Sequence, residues 1–519
     1  MKKLLSLFLT LCLVTSLCAA IASGAEEAPA DPHPTHAGED GWTAIADFAS
    51  LQAMEKDRSY YLTADITVPK ADYTAQIAVK TIGRYVLDGC GYSILFEEGV
   101  TSKFGLFYQF ERGSEVRNLT VGSPAVPFTI RTDGANVGAV VGTAKGDTVL
   151  SNVHVYADID ESGRKNNNQV GGLVGKLTGG ALRIEDCTVT GSYKNTYEHD
   201  NKFFGGMIGN QAGGSLVIAN CTSDVTVEPA AKGVIGGILG TASAGSSLRI
   251  LGCVNKGNLT ARCNVGGILG TNSVDFIIGA ALIGCVNAGT ITHESDTSVA
   301  GEILARTAET ESLLLAGCTG QTGKKLIGDG ADSAKTVSLE MVPGAAVSTA
   351  EPAALRFRTG IALSDYRLLA DLFGKENITF GTLIAKTEDI TAAGAFTMEA
   401  LTAAGKSFIS TAYELTGENG SERWARVEKL GDAQTETASF TGSIGELTSA
   451  DYETAYSGIG YFTVRVGETE ITVYAAYDAA NSRTVKAVAA AALAEHAEDA
   501  AINHYSDSEQ AVLKRLAGA

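Results

Sequence analysis

The chain is poor in residues that mark several common protein classes. It has two tryptophans, five methionines and nine prolines among 519 residues. Basic side chains are outnumbered by acidic ones, which gives a formal net charge of −19. Nucleic-acid binding needs a basic footprint, so this balance argues against a nucleic-acid partner. An acidic chain is instead expected to stay dispersed by self-repulsion.

Long apolar runs are also scarce, and the one pronounced run lies at the N-terminus. Two lysines precede an apolar stretch from Leu4 to Leu17, and small residues follow it. This pattern is typical of a secretory signal peptide, predicted here over residues 1–25. The run is too short to span a membrane comfortably, and no later stretch is a transmembrane candidate. We therefore expect an extracellular or cell-surface protein with a flexible leader over residues 26–40.

Glycine, by contrast, is abundant, and much of it recurs at a fixed spacing. Between about residues 104 and 320, a Gly-Gly-aliphatic-aliphatic-Gly block returns every 30 to 34 residues. The blocks start at Gly138, Gly171, Gly205, Gly236 and Gly266, with a decayed copy at Ala300. Short strands with alternating polarity accompany each block, and no helical period fits inside a copy. The period predicts one unit stacked on copies of itself, which we interpret as a right-handed parallel β-helix.

Two features of the repeat predict corners between strands. The paired glycines would supply either a positive φ or a close approach of backbones, since glycine permits both. A second column consists of Asn118, Asn152, Asp186 and Asn220, followed by Gly252, Gly284 and Gly317. Because such residues close turns, we interpret this column as structural rather than as a ligand site or as glycosylated asparagine.

Five of the nine cysteines occupy one position of the repeat, namely Cys187, Cys221, Cys253, Cys285 and Cys318. Equivalent residues of neighbouring coils would stack about 4.8 Å apart. This spacing allows a disulfide, but parallel Cβ vectors do not give the twist that a disulfide requires. We predict a ladder of buried thiols that act as small hydrophobes, with disulfides as the alternative for an exported chain.

The repeat divides the chain into predicted parts. Residues 41–103 are expected to cap the open end of the solenoid and to form the first irregular coils, because uncapped coils would expose strand edges. Residues 104–320 form the β-helix, and residues 321–345 form a linker rich in glycine and charged residues. Residues 346–519 lack the repeat and predict a smaller α+β module. The expected fold class is therefore mainly β.

The glycine blocks also carry a resemblance to a known family. Blocks such as Gly171-Gly-Leu-Val-Gly175 and Gly236-Gly-Ile-Leu-Gly240 resemble the GLUG motif of bacterial surface proteins. These include adhesins and some proteins described as immunoglobulin-A peptidases. The resemblance covers roughly residues 100–320 and implies an exported, adhesin-like β-helix protein. It implies no catalytic residue, because the motif has none.

The sequence offers no catalytic, cofactor or metal signature. After His293-Glu294, the chain has Thr297 where a zinc protease needs its second histidine. A calcium-binding repeat would recur along the chain, but the calcium-like segment Gly328–Asp332 occurs once. The main enzymatic alternative is a polysaccharide lyase or hydrolase, which would need carboxylates about 5–10 Å apart. The acids considered for it are Asp147, Asp158, Asp160, Glu161, Glu185 and Asp186.

One insertion beside the repeats is the candidate ligand contact. It runs from Tyr193 to Phe204 and carries the aromatic residues Tyr193, Tyr197, Phe203 and Phe204. Exposed aromatic rings combine an apolar face with polar neighbours, which favours sugar binding. We therefore predict a monomeric, non-enzymatic protein without cofactors, whose rod presents loops to a host or bacterial glycan or protein.

Overall fold

Three parallel sheets wind together into a β-solenoid, and a smaller antiparallel module follows it. This confirms the predicted fold class. The computed structural model describes residues 35–161, 168–195, 202–230, 233–272, 279–295, 297–307, 313–321, 323–329, 335–342, 344–414, 425–430, 433–498 and 505–518. The predicted signal peptide and most of the predicted leader lie outside these residues.

Sheet A covers two sides of the solenoid with 22 strands, and all its pairings are parallel. Its strands are Trp42–Ile45, Arg58–Leu62, Ile66–Val68, Asp72–Tyr73, Tyr85–Asp88, Ser93–Phe96, Thr101–Ser102, Ser114–Val121, Phe128–Arg131, Thr148–Asp160, Ala181–Glu185, Thr188–Lys194, Ser215–Ala219, Thr222–Ala230, Ser247–Leu251, Val254–Asn255, Leu259–Ala261, Ala280–Ile283, Val286–Asn287, Ile291–His293, Leu313–Ala316 and Lys335–Val337.

Sheets B and C complete each coil. Sheet B has eight strands: Val79–Gly83, Phe107–Phe110, Val141–Lys145, Val174–Gly179, Ile208–Ala212, Leu239–Ala244, Leu269–Asn272 and Leu304–Thr307. Sheet C has six: Asn136–Gly138, Asn168–Gly171, Lys202–Gly205, Val234–Gly236, Asn264–Gly266 and Ala300–Gly301. Helix α1 (Phe48–Gln52) lies near the first coils, and the capping box of Asp47 and Ser50 starts it.

The glycine blocks form the corner between sheets C and B, and close approach explains them. A Cβ atom on Gly171 would lie 2.1 Å from the carbonyl oxygen of Val174 in its own coil. A Cβ atom on Gly172 would lie 2.1 Å from the carbonyl oxygen of Gly206 in the next coil. Neither glycine is in the left-handed region. The paired glycines are therefore required by the close approach of neighbouring backbones, and not by a positive φ angle.

The second column forms a left-handed turn in every coil. Its φ angles are 52° at Asn118, Asn152, Asp186 and Asn220, and 59°, 63° and 61° at Gly252, Gly284 and Gly317. Asparagine, aspartate and glycine tolerate this region better than other residues do. The interpretation of the column as a turn is confirmed.

The cysteine column is a ladder of thiols inside the solenoid, as predicted. Cys187, Cys221, Cys253 and Cys285 are fully buried, Cys318 is half-buried, and all five are free thiols. Each Sγ lies near a backbone carbonyl of the preceding coil, for example 3.3 Å from Cys285 Sγ to Ile250 O. Burial raises the pKa of Cys221 and Cys285 well above the ordinary value.

The C-terminal module packs two antiparallel sheets and five helices around its own core. Sheet D contains Glu340–Met341, Ala346–Val347, Ala353–Ala362, Ala425–Leu430 and Ala433–Leu447, and sheet E contains Ile378–Lys386, Phe408–Glu414, Tyr456–Val466 and Thr469–Tyr474. The helices are α2 (Leu363–Phe373), α3 (Thr387–Ala393), α4 (Met398–Ala403), α5 (Val485–Glu498) and α6 (Asp507–Ala517), with 3-10 turns at Lys375–Asn377 and Ala479–Asn481. Within the segment 321–345, expected to be a linker, Lys335–Val337 joins sheet A and Glu340–Met341 joins sheet D.

The module docks on the outer side of sheet A through an apolar layer with two arginine contacts at its margins. Solenoid residues such as Leu251 and Ile283 share one buried cluster with Ile471 of the module. Arg183 Nη2 donates a hydrogen bond of 2.7 Å to Val466 O, and Arg249 Nη2 donates one of 3.1 Å to Leu372 O. The Arg249 guanidinium also lies over the ring of Phe373, 5.3 Å from its centroid.

Candidate functional site

The aromatic insertion predicted to contact a ligand turns two of its rings into the solenoid. Tyr193 is fully buried, Phe204 is 1% exposed, and their rings stack with centroids 4.0 Å apart. A ligand contact requires rings that reach solvent, and the structure places these two in the core instead. Phe203 is half-buried, so a ligand contact there stays a prediction. Tyr197 lies outside the described residues.

Beside these rings lies a buried ion pair. Glu161 Oε1 is 3.4 Å from Lys202 Nζ, and the exposed fraction of each side chain is at most 1%. Tyr193 and Asn168 donate hydrogen bonds to Glu161, and Lys202 donates one of 3.0 Å to Asn195. Burial raises the pKa of Glu161, although the hydrogen bond from Tyr193 and the charge of Lys202 oppose this. A sealed pair cannot reach a substrate, so we interpret it as structural.

The other acids considered for catalysis are distributed over separate contacts. These are Asp147 with Arg112 at 3.0 Å, Asp158 with Ser192 at 2.7 Å, Asp160 in register with Arg131 and Lys194 of the neighbouring strands, Glu185 with Arg183 and with Thr469, and Asp186 at its left-handed turn. Within the described ranges, a single group of three His, Cys, Asp or Glu side chains has its ligand atoms within 4.8 Å, and none of these acids belongs to it. These acids therefore form no cluster of that kind in the described residues.

An open groove on the solenoid surface offers a better candidate. It has a volume of about 810 Å³ and is lined by Phe104, Tyr108, Gln109, Asp133, Gly134, Ala135, Asn136, Thr143, Lys145 and Thr178. We call it the Tyr108 groove. Its size falls in the range of small-ligand sites, which is about 300–1,000 Å³.

Tyr108 lies on a short strand between two buried rings. In Phe107–Phe110 of sheet B, the two terminal phenylalanines are buried in the core. Tyr108 between them is 45% exposed, which makes it one of the few large apolar side chains that reach solvent among the described residues. The ring therefore presents an open face at the groove.

Polar groups surround this ring. Asn136 Nδ2 donates a hydrogen bond of 3.2 Å to Thr143 Oγ1 across the corner between sheets C and B. Gln109 Nε2 donates one of 2.7 Å to Glu111, and Lys103 Nζ pairs with Asp133 at 3.1 Å. Amides, hydroxyls and a carboxylate are donors and acceptors that suit a hydroxylated ligand.

Phe203 extends the same side of the solenoid two coils further on. In sheet C, Asn136 pairs with Gln169 and Gln169 pairs with Phe203, so the three residues form one column across successive coils. Among the predicted contact residues that the structure describes, Phe203 alone is half-buried, and it lies in line with the Tyr108 groove. The loop sequence by itself gives no sign that Phe203 is aligned with Asn136.

The sequence did contain a signal for Tyr108. Phe107 pairs with Val141 and Gln109 pairs with Thr143, so Tyr108 stands opposite Gly142, the last glycine of its block. Later copies keep glycine at this position, as in Gly175. The first copy of the repeat therefore has the aromatic Tyr108 where later copies have glycine. This copy diverges so far from the others that only the structure shows which positions correspond.

Part of the chain is similar to known proteins. The GLUG motif family model matches residues 166–194, so the chain carries a GLUG motif within a β-solenoid, as the resemblance predicted. A search of curated proteins gives no match. Among solved structures, a proposed immunoglobulin A1 protease from Bacteroides ovatus is similar at 15% identity and a TM-score of 0.30, covering 56% of this chain and 83% of that one. In the described part of the chain, no helix is both long enough and apolar enough to cross a bilayer.

Proposed function

We propose that this protein is an exported or surface-located binding protein without enzymatic activity, and that the Tyr108 groove receives a glycan. The solenoid would serve as a rigid scaffold for the groove. The observation that carries this proposal is the exposed ring of Tyr108 beside the polar side chains of Asn136, Thr143 and Asp133. An aromatic face packs against the C–H side of a sugar, while neighbouring amides and hydroxyls bind its hydroxyl groups.

A glycan array and a mucin-binding assay with the secreted chain test this proposal. We expect saturable binding that Tyr108→Ala weakens about tenfold or more, equivalent to about 1.4 kcal/mol. Tyr477→Ala is the matched control, because Tyr477 is also an exposed tyrosine, 37% accessible, but lies in the module. Its binding should equal that of the wild type.

Two outcomes would contradict the proposal. The first is the absence of glycan binding by the wild type, and the second is equal binding by Tyr108→Ala. Turnover on a polysaccharide panel would instead favour the lyase or hydrolase alternative.

A further inference from the structure

His36, Asp88 and Cys90 meet at the N-terminal end of the solenoid. Asp88 ends the strand Tyr85–Asp88, and Cys90 follows it in a left-handed turn with φ of 50°. His36 comes from the segment before the first strand, 52 residues from Asp88 in the chain. The possible ligand atoms of the three side chains all lie within 4.8 Å of one another. His36 Nε2 is 3.0 Å from Asp88 Oδ2.

The His36 ring is held with one nitrogen facing this cluster. It stacks on Trp42 with centroids 3.7 Å apart and planes 7° from parallel. Glu39 Oε2 lies 2.8 Å from Nδ1, which leaves Nε2 directed at Asp88. A carboxylate bound to the far ring nitrogen is the usual second partner of a metal-binding histidine. The segment around His36 is thus fixed in place, although sequence alone suggested a flexible leader.

The other two donors are buried and oriented. Asp88 is 4% exposed and Cys90 is 1% exposed. The other carboxylate oxygen, Asp88 Oδ1, accepts hydrogen bonds from the backbone N–H of Cys90 at 2.8 Å and from Asn118 Nδ2 at 3.1 Å, which fix the orientation of the carboxylate. Arg117 Nε donates to Asp88 Oδ2 at 2.7 Å and also pairs with Glu115 at 2.6 Å. A cation that binds Asp88 must displace the Arg117 guanidinium, which can keep its ion pair with Glu115.

We propose that His36, Asp88 and Cys90 bind a zinc ion, through the imidazole Nε2, one carboxylate oxygen and the thiolate. Nitrogen, oxygen and sulfur donors of this kind are the ligands that zinc prefers, and three protein ligands leave a fourth position for water. Binding releases the thiol proton of Cys90 and the Nε2 proton that His36 shares with Asp88. The ion would clamp the segment that carries His36 onto the first coils. This site is independent of the proposed glycan groove.

Titration of the full secreted chain with Co²⁺, under a non-thiol reductant, tests the site. We expect a thiolate-to-cobalt charge-transfer band that saturates at one equivalent and that Zn²⁺ abolishes. Cys90→Ser and His36→Gln should lose the band and bind Zn²⁺ at least 100-fold more weakly. Glu39→Gln should weaken binding by about 10- to 100-fold, as loss of a supporting carboxylate does. Cys263→Ser, which removes a buried thiol elsewhere, should keep the band.

The absence of a band at one equivalent in the wild type would overturn the proposal, and so would its persistence in Cys90→Ser. Far-ultraviolet circular dichroism establishes whether each variant folds. If Cys90→Ser does not fold, His36→Gln decides, because His36 is more exposed than Cys90. Zn²⁺ should raise the melting temperature of the wild type and leave that of His36→Gln unchanged; equal shifts in both would refute the site.

Discussion

Gly317 lies directly against Val473, and the contact leaves no room for a side chain at Gly317. A Cβ atom there would lie 2.7 Å from Cγ1 of Val473. In the two preceding coils, a Cβ atom on Gly252 or Gly284 would lie 2.5 Å or 2.9 Å from Ile471. The turn column changes from asparagine and aspartate to glycine at the three turns that lie directly against Ile471 or Val473. The docked module therefore explains a change in the repeat that turn geometry alone does not require.

Gly317→Asn should weaken the docking of the module. The left-handed turn accepts asparagine, as it does at Asn152, so the cost comes from the clash with Val473, about 1–3 kcal/mol. We expect an earlier urea transition of the module and faster limited proteolysis between the two parts. Asp186→Asn, at an equivalent turn whose own side chain is exposed, is the control and should be nearly neutral. Equal stability of the two variants would contradict this explanation of the glycines.

Lys202→Met should destabilise the solenoid strongly. The change leaves the buried Glu161 carboxylate without its countercharge, which costs about 3–5 kcal/mol. Replacing both partners, as in Glu161→Gln/Lys202→Met, removes the unpaired charge and should recover most of the loss. Urea denaturation of the wild type and both variants measures this. A double variant as unstable as the single one would mean that the ion pair is not the cause.

The same pair predicts a pH dependence. Because burial raises the pKa of Glu161, the folded chain binds this proton more tightly than the unfolded chain does. The resulting stabilisation is complete below the unfolded pKa of about 4.3 and is lost as the pH rises through the higher folded value. Relative to Glu161→Gln/Lys202→Met, the wild type should therefore lose stability as the pH rises above about 4.3. Urea midpoints between about pH 4 and pH 8 test the sign, and parallel profiles would refute it.

Cys318 should be the first thiol of the ladder to react with an aromatic disulfide reagent. It is half-buried at the end of the column, and its hydrogen bond with Cys285 lowers its pKa. Cys221 and Cys285 are fully buried with raised pKa values and should react only on unfolding. Reaction kinetics of the native chain and of Cys318→Ser distinguish these classes. A fast phase that survives in Cys318→Ser would contradict the assignment.

Elements of the module show how much structure local sequence encodes. The capping box of Ser506 and Glu509 starts helix α6, and Gly374 ends α2. The hairpin around Gly467 likewise pairs two strands that are adjacent in the chain. These elements are predictable because their signals lie within a few residues of one another.

The candidate sites were less accessible to sequence analysis. At the aromatic loop, alternation along the sequence could not tell that Tyr193 would face inward. Tyr108 was hidden because the first copy of the repeat diverges from the later ones. His36 was assigned to a flexible leader, although its partner Asp88 lies 52 residues away.

The sequence by itself determined the coil period, the corners, the thiol column and the mainly β fold. These features could be predicted because the same local pattern recurs in every copy of a stacked repeat. The tertiary structure alone decided which surfaces the module covers and which side chains share a groove or a cluster. The hydrogen bond from Arg183 to Val466 joins residues 283 positions apart, and no local pattern specifies such a pairing. It is set by burial of complementary surfaces, which exists only after the chain has folded.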